Sequence, residues 1–362
     1  MTLQTNHTEI ETEPKIDNLI TAYQIGRNTA VQWNVEWDKK EWLAPLRYSQ
    51  MIHLPQNERE ALAKGKLHCV RARNAAASLD FTSACREIAI AQAMSMRAEF
   101  CRETRLLAGS EILAVEATIE FWGGNYPLSR HKLLANSRLD QILEDEFGLG
   151  GFHAHRIHLL SKHVQLASFA EGPVEALRIA ANAMTYLNGG GLAFADAGDW
   201  DQSRVQKLPA GIIRFLIRQL TVEIGAALLY ANEEVRIYAV NELCSLVPPT
   251  GFDSIPEPMS RCYLRALHLS ALPNREFEHL SAAAKMLGYG AKGAETLWLM
   301  CALDASRTCA HLNGEAARCF RKQALTDASE HVAFPSDLRR TWKRQTGNAS
   351  ACIRHACAVT AS

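Results

Sequence analysis

The sequence predicts an all-α fold. The segments 58–77 and 82–106 are rich in Ala, Leu, Met, Glu and Arg, which are good helix formers. Leu19 and Tyr23, and again Trp33 and Trp37, stand four residues apart and would share one face of a helix. Val, Ile and Tyr never alternate with polar residues over a run, and no Asn-Gly or Asp-Gly dipeptide joins two alternating runs. These patterns favour helices throughout and predict no sheet.

Composition indicates a globular chain and restricts its class. The 362 residues are 48% hydrophobic and 22% charged, so the chain can bury a substantial core. Lys plus Arg and Asp plus Glu both number 39, which argues against nucleic acid or an anionic membrane as the main partner. The most apolar stretch, 211–231, carries Arg214, Arg218 and Glu223 and is not expected to span a membrane.

The predicted cellular location is the reducing cytoplasm. Ten cysteines are too few for a disulfide scaffold of this length. The first residues contain neither the basic region nor the apolar region of a secretory signal.

Turn signals recur at intervals near 40 residues once the irregular stretch 188–208 is set aside, and they predict a series of helical hairpins. They include Gly123-Gly124, Gly172-Pro173, Asn232, Asn274 and Asn313. We expect the following segments: a disordered tail at 1–14, an N-terminal helical subdomain at 15–80, hairpin repeats at 81–187, an irregular loop at 188–208, further hairpin repeats at 209–347 and a flexible tail at 348–362.

One hairpin, 157–187, carries a family resemblance. After its turn, Glu175-Ala176-Leu177, Ala180, Ala183 and Leu187 resemble the second helix of a tetratricopeptide-type repeat, and Glu315-Ala316, Phe320 and Ala324 repeat the pattern. The pitch is longer than the roughly 34 residues of that family, and the Trp, Leu-Gly and Tyr of its first helix are absent. The resemblance covers 85–330. It implies a right-handed superhelical stack of antiparallel hairpins, an α-solenoid, that acts as an interaction module.

The function predicted from this architecture is binding in a concave groove. A protein or peptide is the expected partner of such a regulatory or scaffold protein, with a small ligand as the other possibility. The first helix of each hairpin would line the groove. The candidate binding residues on these helices are Arg156, His163, Arg214, Arg218 and Gln219. Arg214 and Arg218, four residues apart, could grip a carboxylate or phosphate, or could merely extend from an apolar helix toward solvent.

Metal and cofactor binding are not expected. His153, His155, His158 and His163 form a cluster, but it lacks the H-E-x-x-H or E-x-x-H spacing of catalytic metal helices. We interpret these histidines as lining a helix start. The tail residues Cys352, His355 and Cys357 lack a fourth ligand.

Two alternatives to a binding protein remain open: an all-helical enzyme with a scattered site, and a helix-turn-helix regulator. No nucleophile motif identifies a catalytic residue. The segment 280–302 has the Ala and Gly spacing of a helix-turn-helix and would present Glu295, Thr296 and Trp298.

Two further segments are predicted to be structural. The loop at 188–208 lacks Walker and EF-hand spacing, so we expect a connector whose exposed Phe194 and Trp200 could touch a partner. The charge run Glu144–Glu146 is expected to be a solvated helix end.

Overall fold

The computed structural model describes residues 7–28, 49, 51–191, 199–229, 231–310 and 314–331. Every regular element within these residues is helical, which confirms the all-α prediction. In chain order the α-helices are α1 (His7–Asn28), α2 (Gln56–Ala77), α3 (Phe81–Ser95), α4 (Arg102–Trp122), α5 (Tyr126–Phe147), α6 (Gly151–Ala170), α7 (Pro173–Leu187), α8 (Gln202–Gln206), α9 (Ala210–Leu229), α10 (Glu233–Leu246), α11 (Pro258–Ser270), α12 (Glu276–Gly288), α13 (Glu295–Ala310) and α14 (Glu315–Glu330). A short 3-10 helix, Pro249–Ser254, precedes α11.

The chain divides into two compact units. The terminal unit takes Met1–Asp38, Leu228–Cys244 and Pro248–Ser362, and the central unit takes Lys39–Ala227 and Ser245–Val247. None of the helices in the described part of the chain is long and apolar enough to cross a membrane.

In the central unit, consecutive helices pack as pairs. α2 packs on α3, α4 on α5 and α6 on α7, while α2 also contacts α4 and α5 contacts α6. Small side chains allow close approach where α2, α3 and α4 meet, because Ala72, Ala91 and Ala108 are buried there with Ile88 and Ile112. This pairing places the end of α5 beside the start of α6.

Local sequence signals determine where these helices begin and end. Asp80 caps α3 by accepting a hydrogen bond from the Ser83 N–H at 3.0 Å. Pro127 and Pro173 stand in the first turns of α5 and α7. α5 ends at Gly148, whose φ of 68° lies in the left-handed region that glycine tolerates best. The turns expected at 123–127 and 171–173 therefore lie where the sequence places them.

In the terminal unit, the first helix packs on late ones. α1 contacts α12 and α14, α11 contacts α12 and α13, and α13 contacts α14. Tyr23 of α1 stacks on Trp298 of α13 at 4.6 Å between ring centroids, and its hydroxyl donates to Asp327 Oδ2 at 2.6 Å. A linear array of repeats contains only contacts between neighbours. The packing of α1 on α12 and α14 therefore departs from a linear array within this unit.

Three expected features differ from the structure. α1 begins at His7, inside the segment 1–14 that was expected to be a tail. The loop expected at 188–208 contains α8, and the division into units falls at 227–228 rather than within that loop. The expected tail at 348–362 lies outside the described residues.

The helix-turn-helix alternative places its recognition helix on α13. Glu295, Thr296 and Trp298, the side chains that would face DNA, are all buried, and Trp298 is 0% exposed. Trp298 also donates its indole N–H to the Leu287 carbonyl at 2.9 Å. The exposed recognition face that a helix-turn-helix needs is therefore missing at these positions.

Candidate functional site

A pocket of about 460 Å³ lies in the central unit, where α5 ends and α6 begins. Its lining includes charged, glycine and apolar residues: Glu144, Gly148, Gly150, Gly151, Arg204, Lys207, Leu208 and Pro209. The volume is within the range of small-molecule sites.

The glycines give the pocket access to backbone at the first turn of α6. Phe152 donates its N–H to the Leu149 carbonyl at 2.9 Å, and His153 donates its N–H to the Gly150 carbonyl at 3.2 Å. The N–H of Gly151 has no such acceptor among the described residues. Because the first turn of a 20-residue helix carries partial positive charge, this part of the pocket favours an anion.

Two cationic side chains line the same pocket. Arg204 forms an ion pair with Glu144 and, at 2.5 Å between Nη2 and Oδ1, with Asp145. The hydrogen bond from Arg204 lowers the pKa of Asp145 and raises the pKa of Arg204 itself. Lys207 is exposed and forms no ion pair with a carboxylate in the described part of the chain. Lys207 therefore remains available to a ligand.

Glu144 connects the pocket to a buried charge network. Its Oε2 accepts from His153 Nδ1 and from Arg156 Nη1, both at 3.3 Å, in addition to Arg204. Its Oε1 is buried and has no hydrogen-bond partner among the described residues. One oxygen of this carboxylate is thus saturated while the other lacks a donor, which is costly for a buried acceptor.

Aromatic side chains close the network on its inner side. The Tyr186 hydroxyl lies 2.9 Å from His153 Nε2 and donates to the Asp201 carbonyl at 3.0 Å. Burial raises the pKa of Tyr186 above its ordinary value, so the hydroxyl keeps its proton. Trp200 packs against the rings of both Tyr186 and His153. These contacts hold the segment that leads into α8 against α6 and so position Arg204.

A second network of polar side chains lies in the same unit, and none of its members named below lines the pocket. Ser110 donates to Asp140 at 2.6 Å, Asp140 lies 2.6 Å from His155 Nδ1, and His158 Nδ1 lies 2.6 Å from the Gln219 side-chain oxygen. Because the carboxylate stands between the serine and the histidine, His155 cannot act as the base for Ser110. This network supplies hydrogen-bond partners to polar side chains inside the protein.

The predicted binding residues fall into two groups. Arg156, His163 and Gln219 are buried, contrary to the expectation that they face a groove. Burial also lowers the pKa of His163 to about 3. Arg214 is exposed and Arg218 is half-buried, so their surface position agrees with the expectation while their binding role stays a prediction. Arg156 contacts a residue of the pocket lining, Glu144.

Sequence reasoning missed Lys207 and misplaced Glu144. The run Glu144–Glu146 is not uniformly solvated, because Glu144 is only 6% exposed whereas Asp145 and Glu146 lie at the surface. Phe147-Gly148 and Gly150-Gly151 were the available signal, since a glycine-rich break between two helices marks a place where backbone can approach a ligand. Trp200, expected to be exposed, is half-buried against Arg156.

Metal ligation has no support in the described residues. No group of three or more His, Cys, Asp or Glu side chains in that part of the chain could hold a metal ion. The cluster of Cys352, His355 and Cys357, and Phe194 of the loop, lie outside the described residues.

A buried charged cluster also occurs in the terminal unit. Arg236 forms an ion pair with Asp304, and Asp304 Oδ2 lies 3.6 Å from His279 Nε2. Burial raises the pKa of Asp304, but the charge of Arg236, the hydrogen bond and charge of His279 and the charge of Arg307 together lower it by more, so the net pKa is below the ordinary value. All three side chains are buried, so this cluster connects the helices that carry them and is not accessible to a ligand.

Comparison of the chain with protein-family models, with curated proteins and with solved structures finds no match.

Proposed function

We propose that this protein is a binding protein and that the pocket at the start of α6 takes a small anionic ligand. The observation that carries the proposal is the convergence of Arg204, Lys207 and the first turn of α6 on one pocket. The described charged residues of the lining are one carboxylate, Glu144, and two cations, Arg204 and Lys207, so these residues carry one excess positive charge. Such a lining complements a monoanion.

The lining favours binding over catalysis. Among the described residues that line it there is no Ser, Thr, Cys, His or Tyr, so these residues offer a bound molecule neither a hydroxyl or thiol nucleophile nor a histidine base. A scattered catalytic site, the enzyme alternative, would need such groups at the ligand. The proposal therefore assigns recognition, not turnover, to this pocket.

A protein or peptide partner is the second candidate function. It rests on Arg214 and Arg218, which stand four residues apart on α9 and reach the surface to different degrees. In this proposal the hairpin pairs extend as a right-handed superhelical stack, and the paired packing of α2 to α7 supports it. We expect the double variant Arg214→Ala, Arg218→Ala to bind the partner more weakly with a nearly unchanged thermal midpoint. Equal loss of folding and binding would assign both arginines a structural role.

The proposed location is the cytoplasm. The cysteines in the described residues, Cys69, Cys85, Cys101, Cys244, Cys262, Cys301, Cys309 and Cys319, are free thiols. Free thiols are typical of a reducing compartment and support this part of the proposal.

The pocket is tested with phenylacetate, a monocarboxylate with an apolar group that suits Leu208 and Pro209. We expect saturable binding by calorimetry, and we expect Lys207→Met to weaken it about five- to tenfold by removing a charged donor. Lys64→Met, which alters an exposed lysine outside the pocket, is the matched control and should leave the affinity unchanged. Equal affinity in wild type and Lys207→Met, or no saturable binding, would overturn the proposal.

A further inference from the structure

We infer that the outer face of α2 binds an acidic amphipathic α-helix of a partner protein, as one half of a short coiled coil. This outer face is a row of exposed residues together with the basic side chains on both sides of it. The row consists of Ala63, Leu67, Val70, Asn74 and Ala77. The inference goes beyond the pocket, because α2 contributes none of its described lining residues.

The row has the spacing of coiled-coil contact positions. Its successive members are four, three, four and three residues apart, as the a and d positions of heptads are. Leu67 and Asn74 take a positions, and the other three residues take d positions. The inward side of α2, which includes Cys69 and Ala72, packs against α3 and α4. Leu67 is 51% exposed and Val70 is 39% exposed, so α2 presents a second apolar row that the fold leaves uncovered.

Basic side chains flank the row on both sides. Lys64 and Arg71 take e positions, Lys66 and Arg73 take g positions, and all four are exposed. Arg73 Nη2 lies 3.6 Å from Glu111 Oε1, whereas the other three form no ion pair with a carboxylate of the described residues. In coiled coils the charges at e and g determine which partner pairs. Four cations at these positions therefore select a helix that carries Glu or Asp there.

The charges exclude a second copy of the same face. Two such faces would bring cations opposite cations, which is destabilising. A different helix with apolar a and d positions and acidic flanks meets both features of the row. Asn74 adds a polar a position, the kind of residue that fixes the register of a coiled coil. Because α2 is already held as a helix by α3 and α4, only the partner helix has to be ordered on binding.

An anionic membrane fits the face less well. Only Leu67 and Val70 are large apolar side chains in the row, and Asn74 interrupts it. Helices that lie in a membrane interface insert a broad apolar face rich in Trp, Phe or Leu. The narrow row with cations close on both sides therefore matches a helix better than a lipid surface.

The experiment uses the full chain and a synthetic peptide of three heptads. The peptide carries Ile and Leu at a and d, one Asn at an a position and Glu at every e and g, so its own charges keep it from pairing with itself. We expect saturable binding by fluorescence anisotropy, with a dissociation constant on the order of 10 μM because the interface is short. The affinity should fall as salt is added.

Charge reversal on the protein tests the e positions. Lys64→Glu, Arg71→Glu should weaken binding of the acidic peptide about tenfold, because two attractive pairs become repulsive. A basic peptide with Lys in place of every Glu should bind this double variant about tenfold more tightly than it binds the wild type. Arg318→Glu, Lys322→Glu, at exposed positions of α14, is the matched control and should change neither affinity.

The apolar row is tested separately from the charges. Leu67→Gln should weaken binding of the acidic peptide about tenfold and leave the thermal midpoint nearly unchanged, because this side chain is at the surface. An acidic peptide with Ser at every a and d position should not bind. Equal binding of this Ser peptide would show that charge alone attracts the probe, and it would overturn the coiled-coil pairing.

The remaining outcomes also decide the inference. Absence of saturable peptide binding, or equal affinity of the acidic peptide for the wild type and the double variant, would overturn it. Binding to vesicles of about one part phosphatidylserine to three parts phosphatidylcholine, lost in the double variant and without peptide binding, would assign the face to a membrane instead. Phenylacetate binding should be the same in the double variant and the wild type, so the pocket and this face stand or fall separately.

Discussion

The guanidinium carbon of Arg156 lies 4.3 Å from the centroid of the Trp200 ring, so a fully buried cation rests on an aromatic face. The same guanidinium donates to the Asp199 carbonyl at 2.7 Å and to Glu144. Arg156 lies on α6 and therefore joins this helix to the end of α5 and to the segment before α8. It makes a cation–π contact with Trp200, a charge-assisted hydrogen bond with Glu144 and a hydrogen bond with a backbone carbonyl.

Removing this cation is expected to destabilise the protein strongly. Arg156→Met keeps most of the side-chain volume but leaves the buried Glu144 carboxylate without one of its partners. We expect a loss of about 3–5 kcal/mol in the free energy of unfolding, measured by urea denaturation with an unchanged m-value. Arg214→Met, at an exposed position, should change it by less than about 0.5 kcal/mol. A loss below about 1 kcal/mol for Arg156→Met would contradict the structural role.

Close packing of α1 in the terminal unit is expected to depend on Gly26. A Cβ at this position would lie 2.4 Å from the Leu287 carbonyl oxygen and 2.6 Å from Trp298 Nε1. Because one of these atoms is backbone, Gly26→Ala should cost about 2–3 kcal/mol, measured by thermal and urea unfolding. Gly288→Ala is the matched control, since a Cβ there meets no atom within 4 Å. It should be neutral or stabilising by up to about 1 kcal/mol, and similar losses for both variants would exclude steric contact as the cause.

His163 is expected to make stability depend on pH in the acid range. Burial lowers its pKa to about 3, whereas an unfolded histidine titrates near about 6.5. Between these two pKa values the unfolded chain binds a proton that the folded chain does not. The contribution of His163 to the free energy of unfolding is therefore complete above about pH 6.5 and decreases as the pH falls. The free energy of unfolding falls by about 1.4 kcal/mol for each pH unit in this range.

The measurement compares wild type with His163→Leu in urea at pH 7.5 and pH 5. The wild type should lose about 2 kcal/mol more than the variant between these two values. A difference that does not change with pH would show that this ring is equally protonated in the folded and unfolded chains.

The hydroxyl of Tyr23 is expected to stabilise the terminal unit. It donates to Asp327 at 2.6 Å, and Arg27 donates to the same carboxylate. Tyr23→Phe should reduce the free energy of unfolding by about 1–2 kcal/mol, because a buried carboxylate loses one donor but keeps the arginine. Tyr238→Phe, at a residue 56% exposed in the same unit, should have almost no effect. Equal effects of the two variants would contradict a specific role for the hydroxyl.

Much of the helical framework could be predicted because its signals are local. The spacing of Leu19 and Tyr23 predicted a shared helical face, and both are buried in α1. Gly148 and Gly172 have the positive φ angles that end helices. Turn chemistry and periodicity act within a few residues, so a single sequence contains them.

The candidate site could not be predicted because its contacts are distant in sequence. Glu144 belongs to an acidic run, and only its pairing with Arg156 and Arg204, 12 and 60 residues later, makes its burial tolerable. Periodicity indicates which residues share a helix face but not which element covers that face. For the same reason the sequence allowed Glu295 and Trp298 to be placed on an exposed helix face, whereas both are buried in the structure.

The hydrogen bond between Tyr23 and Asp327 joins positions 304 residues apart, and this separation has a consequence for biosynthesis. A ribosome adds roughly 5–20 residues per second, so α1 is synthesised roughly 15–60 s before α14. During that interval Tyr23 lacks its native neighbours Trp298 of α13 and Asp327 of α14, whereas α2 to α7 of the central unit can pair as they emerge. Until translation passes Asp327, α1 therefore lacks the helices that cover Tyr23 in the folded protein, and this side chain is exposed to solvent in the nascent chain.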